Sequence, residues 1–104
     1  MFTLTRAAAD QVRVSADQGD NVGMALRVAA SRKPDGTLDY GLGFDTPGAD
    51  DLETVTEGVR VIIGPAHVEH LKGATMDYVE IEPGQFSFIF LNPNDPNYSP
   101  PTVT

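Results

Sequence analysis

The chain contains no cysteine among its 104 residues. Disulfide bonds, zinc–thiolate sites and a thiolate nucleophile are therefore excluded. Basic residues are also scarce, since seven Lys and Arg stand against 15 Asp and Glu and the formal net charge is −8. Such an acidic chain repels nucleic acid and anionic membranes, so we predict neither as a partner.

Long apolar runs are absent as well. No run approaches the roughly 20 residues that a membrane helix requires. Residues 1–9 also lack the basic start and apolar stretch of a signal peptide, so we expect a cytoplasmic protein. The apolar fraction of 40% and the charged fraction of 21% are typical of a folded globular domain. A chain of this length can build one modest core.

A helix is predicted near the start of the chain. Its apolar residues recur every four positions: Leu4, Ala8, Val12 and Ala16. Thr5 is suited to the N-cap, which places the helix at residues 6–18. Gly19 would follow it in the left-handed conformation that often ends a helix.

From residue 24 onward the apolar period changes to two, which predicts β-strands. Six segments have this character: 24–30, 38–45, 52–56, 59–63, 77–82 and 86–91. A Pro-Asp-Gly turn joins the first two strands in a hairpin with its tip near Asp35. A short helix would begin at Pro65 and end before Gly73. We therefore predict a mostly β, α+β domain with an N-terminal helix and one short internal helix.

The composition of the chain changes near its C-terminal end. Residues 92–104 contain four prolines and three asparagines, with neither a helical nor a strand period. This composition is typical of an extended or disordered segment. We predict one domain at residues 1–91 and a Pro/Asn-rich tail at 92–104.

Three segments carry a family resemblance through their order and spacing. They are EGVRV at 57–61, LKGATMDY at 71–78 and FIFLNPN at 88–94. The last two are similar to the L-x-G-T-x-L-D-Y and F-x-F-x-N-P-N motifs of the HesB-like, or A-type iron–sulfur carrier, family. The resemblance covers residues 2–99 and implies a compact β-rich fold that tends to self-associate. It also implies a partner in iron–sulfur assembly.

The family's cluster is held by three cysteines, and the resemblance assigns their positions here. One opens a C-S-G run before the Y-x-L-x-F strand, which corresponds to Asp35 when counted back from Tyr40. The other two form a C-G-C run after N-P-N and correspond to Ser99 and Pro101. Proline has no side-chain donor, and serine is a poor ligand for such centres. We therefore expect no iron–sulfur cluster as a cofactor.

Asp35, His67 and His70 are the candidate metal ligands. The two histidines lie three residues apart on the predicted short helix, so they share one face and could bind a metal with a carboxylate. The alternatives are that Asp35 belongs to the turn through its own backbone hydrogen bonds, and that the histidines occupy a solvated helix face. No catalytic combination of residues emerges from the spacing.

We interpret the chain as a non-enzymatic interaction or regulatory module of this fold. Its partner would be a protein, either a component of iron–sulfur assembly or a second copy in a homodimer. A metal-binding carrier that uses Asp and His ligands is the alternative. A third hypothesis is a small-molecule binder or enzyme with a pocket beneath the sheet that carries Phe86, Phe88 and Phe90.

Overall fold

In a computed structural model, which describes residues 2–94, the chain forms seven strands and two helices within that range. In chain order these are β1 (Thr3–Leu4), α1 (Arg6–Gln18), β2 (Ala25–Arg32), β3 (Leu38–Asp45), β4 (Leu52–Thr56), β5 (Val59–Ile63), α2 (Val68–Leu71), β6 (Thr75–Glu82) and β7 (Gln85–Leu91). The mostly β, α+β class predicted from the sequence is confirmed. Neither helix in the described range is long and apolar enough to cross a membrane.

Helix α1 has the bounds that its apolar spacing predicts. Thr5 Oγ1 accepts a hydrogen bond from the backbone N–H of Ala8 at 3.2 Å, and the same hydroxyl donates to Asp77 Oδ1 at 2.6 Å. The first contact satisfies a helix N–H that has no partner within the helix. The second ties the start of α1 to β6.

The left-handed conformation predicted for Gly19 is wrong. Gly19 has a φ of −92°, because its backbone N–H still bonds to Ser15 O at 3.0 Å and so continues the helical pattern. The chain reverses one residue later, at Asp20, which has a φ of 59°. Asp is one of the few residue types that adopt this conformation without a large steric cost.

The strands form two sheets of mixed direction. One has the order β3-β2-β5-β4 and the other the order β1-β6-β7. The antiparallel pairs are β2 with β3, β4 with β5, and β6 with β7. The parallel pairs are β2 with β5 and β1 with β6. Strands β3 and β7 each lie at an edge of their sheet.

The core lies between the two sheets and α1. Its fully buried residues include Val28 and Val61 from the larger sheet, Met76 from the smaller one, and Ala8 from the helix. Each large apolar side chain removed from water in this way stabilises the fold by roughly 1.5–3 kcal/mol. The alternation in β2 thus corresponds to a buried face, formed by Leu26, Val28 and Ala30, whereas Leu42 of β3 and Phe86 of β7 are exposed.

Strands β2, β6 and β7 differ from their predicted bounds by one or two residues at an end, and two short elements differ further. The internal helix α2 begins at Val68 instead of Pro65, because residues 65–67 form a turn. Strand β1 was not predicted, since two residues are too few to show a period. Residues 95–104 lie outside the described residues, so the division into a domain at 1–91 and a tail at 92–104 stays a prediction.

Candidate functional site

The β2–β3 hairpin tip carries Asp35, the first of the predicted site residues. Its Oδ1 accepts hydrogen bonds from the Thr37 hydroxyl at 2.6 Å and from the Thr37 backbone N–H at 3.0 Å. These two donors lower the pKa of Asp35 below its ordinary value, the hydroxyl having the larger effect. Gly36 has a φ of 88°, which the turn requires and glycine readily adopts. The exposed carboxylate of Asp35 thus stabilises the turn to which it belongs.

Arg32 joins this tip to the end of the described chain. Its guanidinium donates to the carbonyl oxygen of Gly36 at 2.6 Å and to that of Asn94 at 3.3 Å. Asn94 directly precedes residues 95–104, which contain Ser99 and Pro101. The structure therefore brings Asp35 to the place where that segment begins. Ser99 and Pro101 themselves lie outside the described residues.

Asn92 and Asn94, the two asparagines of the N-P-N motif, anchor this end of the molecule to α2. Asn92 is fully buried, and its Nδ2 donates to the carbonyl oxygen of His70 at 2.6 Å. Asn94 Nδ2 donates to the carbonyl oxygen of Lys72 at 2.8 Å. Carbonyls at a helix C-terminus lack partners within the helix, so the motif supplies them. In the sequence the N-P-N motif is marked only by its family resemblance, and no local pattern indicates this role.

An aromatic stack links the two sheets beside the N-P-N motif. The rings of Tyr40 and Phe90 lie parallel, with an interplanar angle of 2° and centroids 4.1 Å apart. Asn92 Nδ2 also donates to the Tyr40 hydroxyl at 3.3 Å. The edge strands β3 and β7 therefore lie close together at this end.

His67 and His70, the other predicted metal ligands, lie at the two ends of α2. His67 Nδ1 is 2.9 Å from the carbonyl oxygen of Ala30 on β2, and His70 accepts the Asn92 hydrogen bond through its backbone. Within residues 2–94, no three His, Cys, Asp or Glu side chains are grouped closely enough to hold a metal ion. The metal site formed by Asp35, His67 and His70 stays a prediction.

A charged cluster forms around Arg27 on β2. Arg27 makes a two-pronged contact with Asp51 at 2.7 and 3.0 Å and a further one with Asp45 at 2.8 Å. Hydrogen bonds from Arg27 hold the pKa of Asp51 at about 2. The side chain of Asp51 is only 9% exposed. This carboxylate therefore closes the loop before β4 and does not belong to a solvated acidic surface.

A groove opens between α1 and β3. It consists of two adjoining hollows of about 350 Å³ and 160 Å³. Its apolar lining includes Val12, Met24, Leu26, Leu42, Phe44 and Phe88. Met24 and Leu42 are 47% and 42% exposed, so the α1–β3 groove presents apolar surface to solvent. In the sequence, Val12 belongs to the helical pattern and the other five residues belong to strand patterns, so no local pattern indicates the groove.

Comparison with known proteins identifies close relatives of this chain. It is 38% identical over 89 residues to the iron–sulfur cluster insertion protein ErpA of Xanthomonas oryzae, a match that covers 85% of this chain and 69% of that protein. The ErpA of Xylella fastidiosa is 37% identical over 94 residues, which covers 89% of this chain and 73% of the relative. No family model matches the chain.

Solved structures share its fold. IscA, determined with a [2Fe-2S] cluster, superposes with a TM-score of 0.76 at 30% sequence identity, covering 89% of this chain and 86% of IscA. Escherichia coli SufA, a protein of iron–sulfur cluster biosynthesis, gives a TM-score of 0.74 at 26% identity and covers 94% of this chain and 85% of SufA. These likenesses confirm the resemblance and the fold class drawn from the sequence motifs.

The same comparisons correct the expectation about the cofactor. We expected no iron–sulfur cluster, and that expectation is contradicted, because the relatives insert iron–sulfur clusters and a structural neighbour contains one. The prediction treated the loss of cysteine ligands as a loss of the cofactor itself. The donors of this chain do not fit a thiolate-held cluster, since it has no cysteine and Asp35 is engaged by Thr37.

Proposed function

The chain belongs to the HesB-like family of A-type iron–sulfur carriers, and from that premise we propose that it is a non-enzymatic interaction module of iron–sulfur cluster assembly. Its partner is a cysteine-bearing protein of the same process. A cluster that passes through their complex as cargo is held by thiolates of the partner. The predicted cytoplasmic location and the predicted tendency to self-associate remain part of this proposal.

One observation supports the proposal above all others. The framework of the family is kept while every thiolate is missing. The N-P-N asparagines bind the end of α2, and Arg32 joins the hairpin tip to Asn94. A fold maintained in this way retains a surface for other proteins even where it supplies no thiolate.

Anaerobic affinity purification tests the proposal. The tagged full chain is isolated from its native cells, and the proteins that accompany it are identified by mass spectrometry. Iron and acid-labile sulfide are measured in the same fractions. We expect a cysteine-bearing iron–sulfur assembly protein to elute with the chain.

The partner's cysteines provide the decisive control. Replacing them with serine should remove iron and sulfide from the complex and leave the protein–protein contact intact. Iron and sulfide that persist after this replacement would contradict the assignment of the thiolates to the partner. If no protein with cysteine ligands accompanies the chain, the role as an interaction module is wrong.

A further inference from the structure

The tip of the β2–β3 hairpin contains a chemically reactive pair of residues. Asp35 is followed by Gly36, and this is the only Asp-Gly step in the sequence. In such a step the backbone nitrogen of the glycine can attack the side-chain carboxyl carbon of the aspartate, because glycine has no Cβ to shield that nitrogen. The chain has no Asn-Gly step, which would react in the same way. Asp35 is also exposed to solvent, so water reaches the site.

The rearrangement needs no reactant other than water. The Gly36 nitrogen forms a bond to Asp35 Cγ, and the carboxyl OH group leaves with the amide proton as water. The product is a cyclic imide, the succinimide. Water then adds to one of its two carbonyl carbons. Addition at Cγ restores aspartate, whereas addition at the main-chain carbonyl gives isoaspartate, in which the chain runs through Cβ and Cγ and the free carboxylate is attached to Cα.

The folded turn restrains both reacting groups. Asp35 Oδ1 accepts hydrogen bonds from the Thr37 hydroxyl at 2.6 Å and from the Thr37 backbone N–H at 3.0 Å. The Gly36 N–H donates to the carbonyl oxygen of Lys33 at 2.9 Å. Ring closure therefore requires the carboxyl group to leave Thr37 and the Gly36 nitrogen to turn away from Lys33.

We propose that the Asp35–Gly36 bond forms isoaspartate in the folded chain, at a rate set by the contacts of Thr37 with the Asp35 carboxylate. Thr37 is a positioning residue in this reaction, since it holds the carboxylate away from the Gly36 nitrogen. The reaction needs neither a partner protein nor a cluster, so it goes beyond the proposed function and does not depend on it.

The modification would change the surface at the tip. Isoaspartate adds one carbon to the main chain before Gly36, so Gly36 must shift relative to β2. Arg32 donates to the carbonyl oxygen of Gly36 at 2.6 Å and to that of Asn94 at 3.3 Å. A displaced Gly36 therefore loosens the link between the tip and the place where residues 95–104 begin.

Ageing of the purified full chain tests the proposal. The protein is kept at neutral pH and physiological temperature for several weeks, and samples are methylated by a protein isoaspartate methyltransferase with labelled S-adenosylmethionine. Peptide mapping with electron-transfer fragmentation then locates the modified residue. We expect isoaspartate to accumulate at position 35 faster than at any other aspartate. Asp35→Glu should abolish the signal at this position, because glutamate would have to close a larger ring.

Variants of Thr37 test what sets the rate. Thr37→Val removes the hydroxyl and keeps the backbone N–H, so it should raise the rate about three- to tenfold, the factor that one ordinary hydrogen bond corresponds to. Thr37→Ser keeps the hydroxyl and should react at close to the wild-type rate. Val61→Ala weakens the buried core beside Leu26. It should also react at close to the wild-type rate, which controls for a general loss of stability.

Concentrated urea separates the turn from the local sequence. Unfolding removes the Thr37 contacts, so the wild type and Thr37→Val should then react at the same rate, faster than the folded wild type. The absence of isoaspartate at position 35 in the folded chain would overturn the proposal. Equal rates for the folded wild type and Thr37→Val, or a difference between them that persists in urea, would also contradict it. None of these readouts measures iron, sulfide or an associated protein, so this site and the proposed function can fail separately.

Discussion

The side-chain amide of Asn92 donates a 2.6 Å hydrogen bond to the backbone carbonyl of His70, and this contact joins the end of β7 to the end of α2. Asn92 is the one polar residue buried completely among residues 2–94. A buried amide of this kind is stable only while its hydrogen bonds are made. The contact gives Asn92 of the N-P-N motif a structural role in this chain.

Removing the Asn92 amide should destabilise the domain. Asn92→Ala leaves the His70 carbonyl buried without this donor, which costs about 1–3 kcal/mol in the free energy of unfolding. Urea denaturation followed by circular dichroism measures the change. Gln85→Ala, which removes an exposed amide from the same strand, should change stability by less than about 0.5 kcal/mol. Equal effects of the two substitutions would show that the buried contact contributes nothing.

The Arg27–Asp51 pair should make stability fall in acid. The pKa of Asp51 is about 2 in the folded chain and 3.8 at its ordinary value. Because folding lowers the pKa of Asp51, the ionised carboxylate stabilises the folded chain at pH values above about 4. This stabilisation is lost as the pH falls from about 4 to 2. Urea unfolding across that range should show the loss. Asp51→Asn should flatten the decline, and Asp50→Asn, at the exposed neighbour, should not.

The stacked rings of Tyr40 and Phe90 should be energetically coupled. A double-mutant cycle with Tyr40→Leu and Phe90→Leu should give a coupling of about 0.5–1.5 kcal/mol beyond the lost burial. Tyr40→Phe retains the ring and should keep most of the coupling, while it loses the hydroxyl contact with Asn92. If the two single substitutions change the free energy of unfolding in urea strictly additively, the stacked rings contribute nothing beyond their burial.

The metal-carrier alternative makes its own prediction about Asp35, His67 and His70. It requires that a divalent ion such as Co²⁺ bind more tightly than about 1 mM. The joint substitution of both histidines by alanine should abolish that binding. Calorimetric titration of the chain and of the double histidine variant with the ion measures both affinities. Weaker binding, or binding that survives the loss of the histidines, would reject this alternative.

Local patterns predicted most of the secondary structure. The bounds of α1, β4 and β5 were predicted to the residue, because cap chemistry and apolar alternation act over a few neighbours. Strand β1 was missed, since its two residues are held only by pairing with β6. The reversal after α1 was placed one residue early, because the Ser15 carbonyl continues to bond the Gly19 N–H.

The candidate site was predicted less completely. Motif order located the Asp35 turn and the N-P-N run, and the comparisons confirmed the family. The same reasoning predicted no iron–sulfur cluster as a cofactor, and the relatives contradict that prediction, because the absence of cysteine ligands does not by itself exclude the cofactor of the family. Arg27 and Asp51 lie 24 residues apart, and no local pattern marks them as partners.

The amino-acid sequence by itself determined that this chain has no thiolate, a strongly negative charge, a β-rich pattern and the motifs of its family. Those properties are composition and short-range order, which exist in the unfolded chain as well. Only the tertiary structure decided that Asn92 contacts α2, that Arg32 joins the hairpin tip to Asn94, and that an apolar groove opens beside α1. Each of these depends on which distant segments pack together, because directional hydrogen bonds and close packing act only between groups that folding has brought into contact.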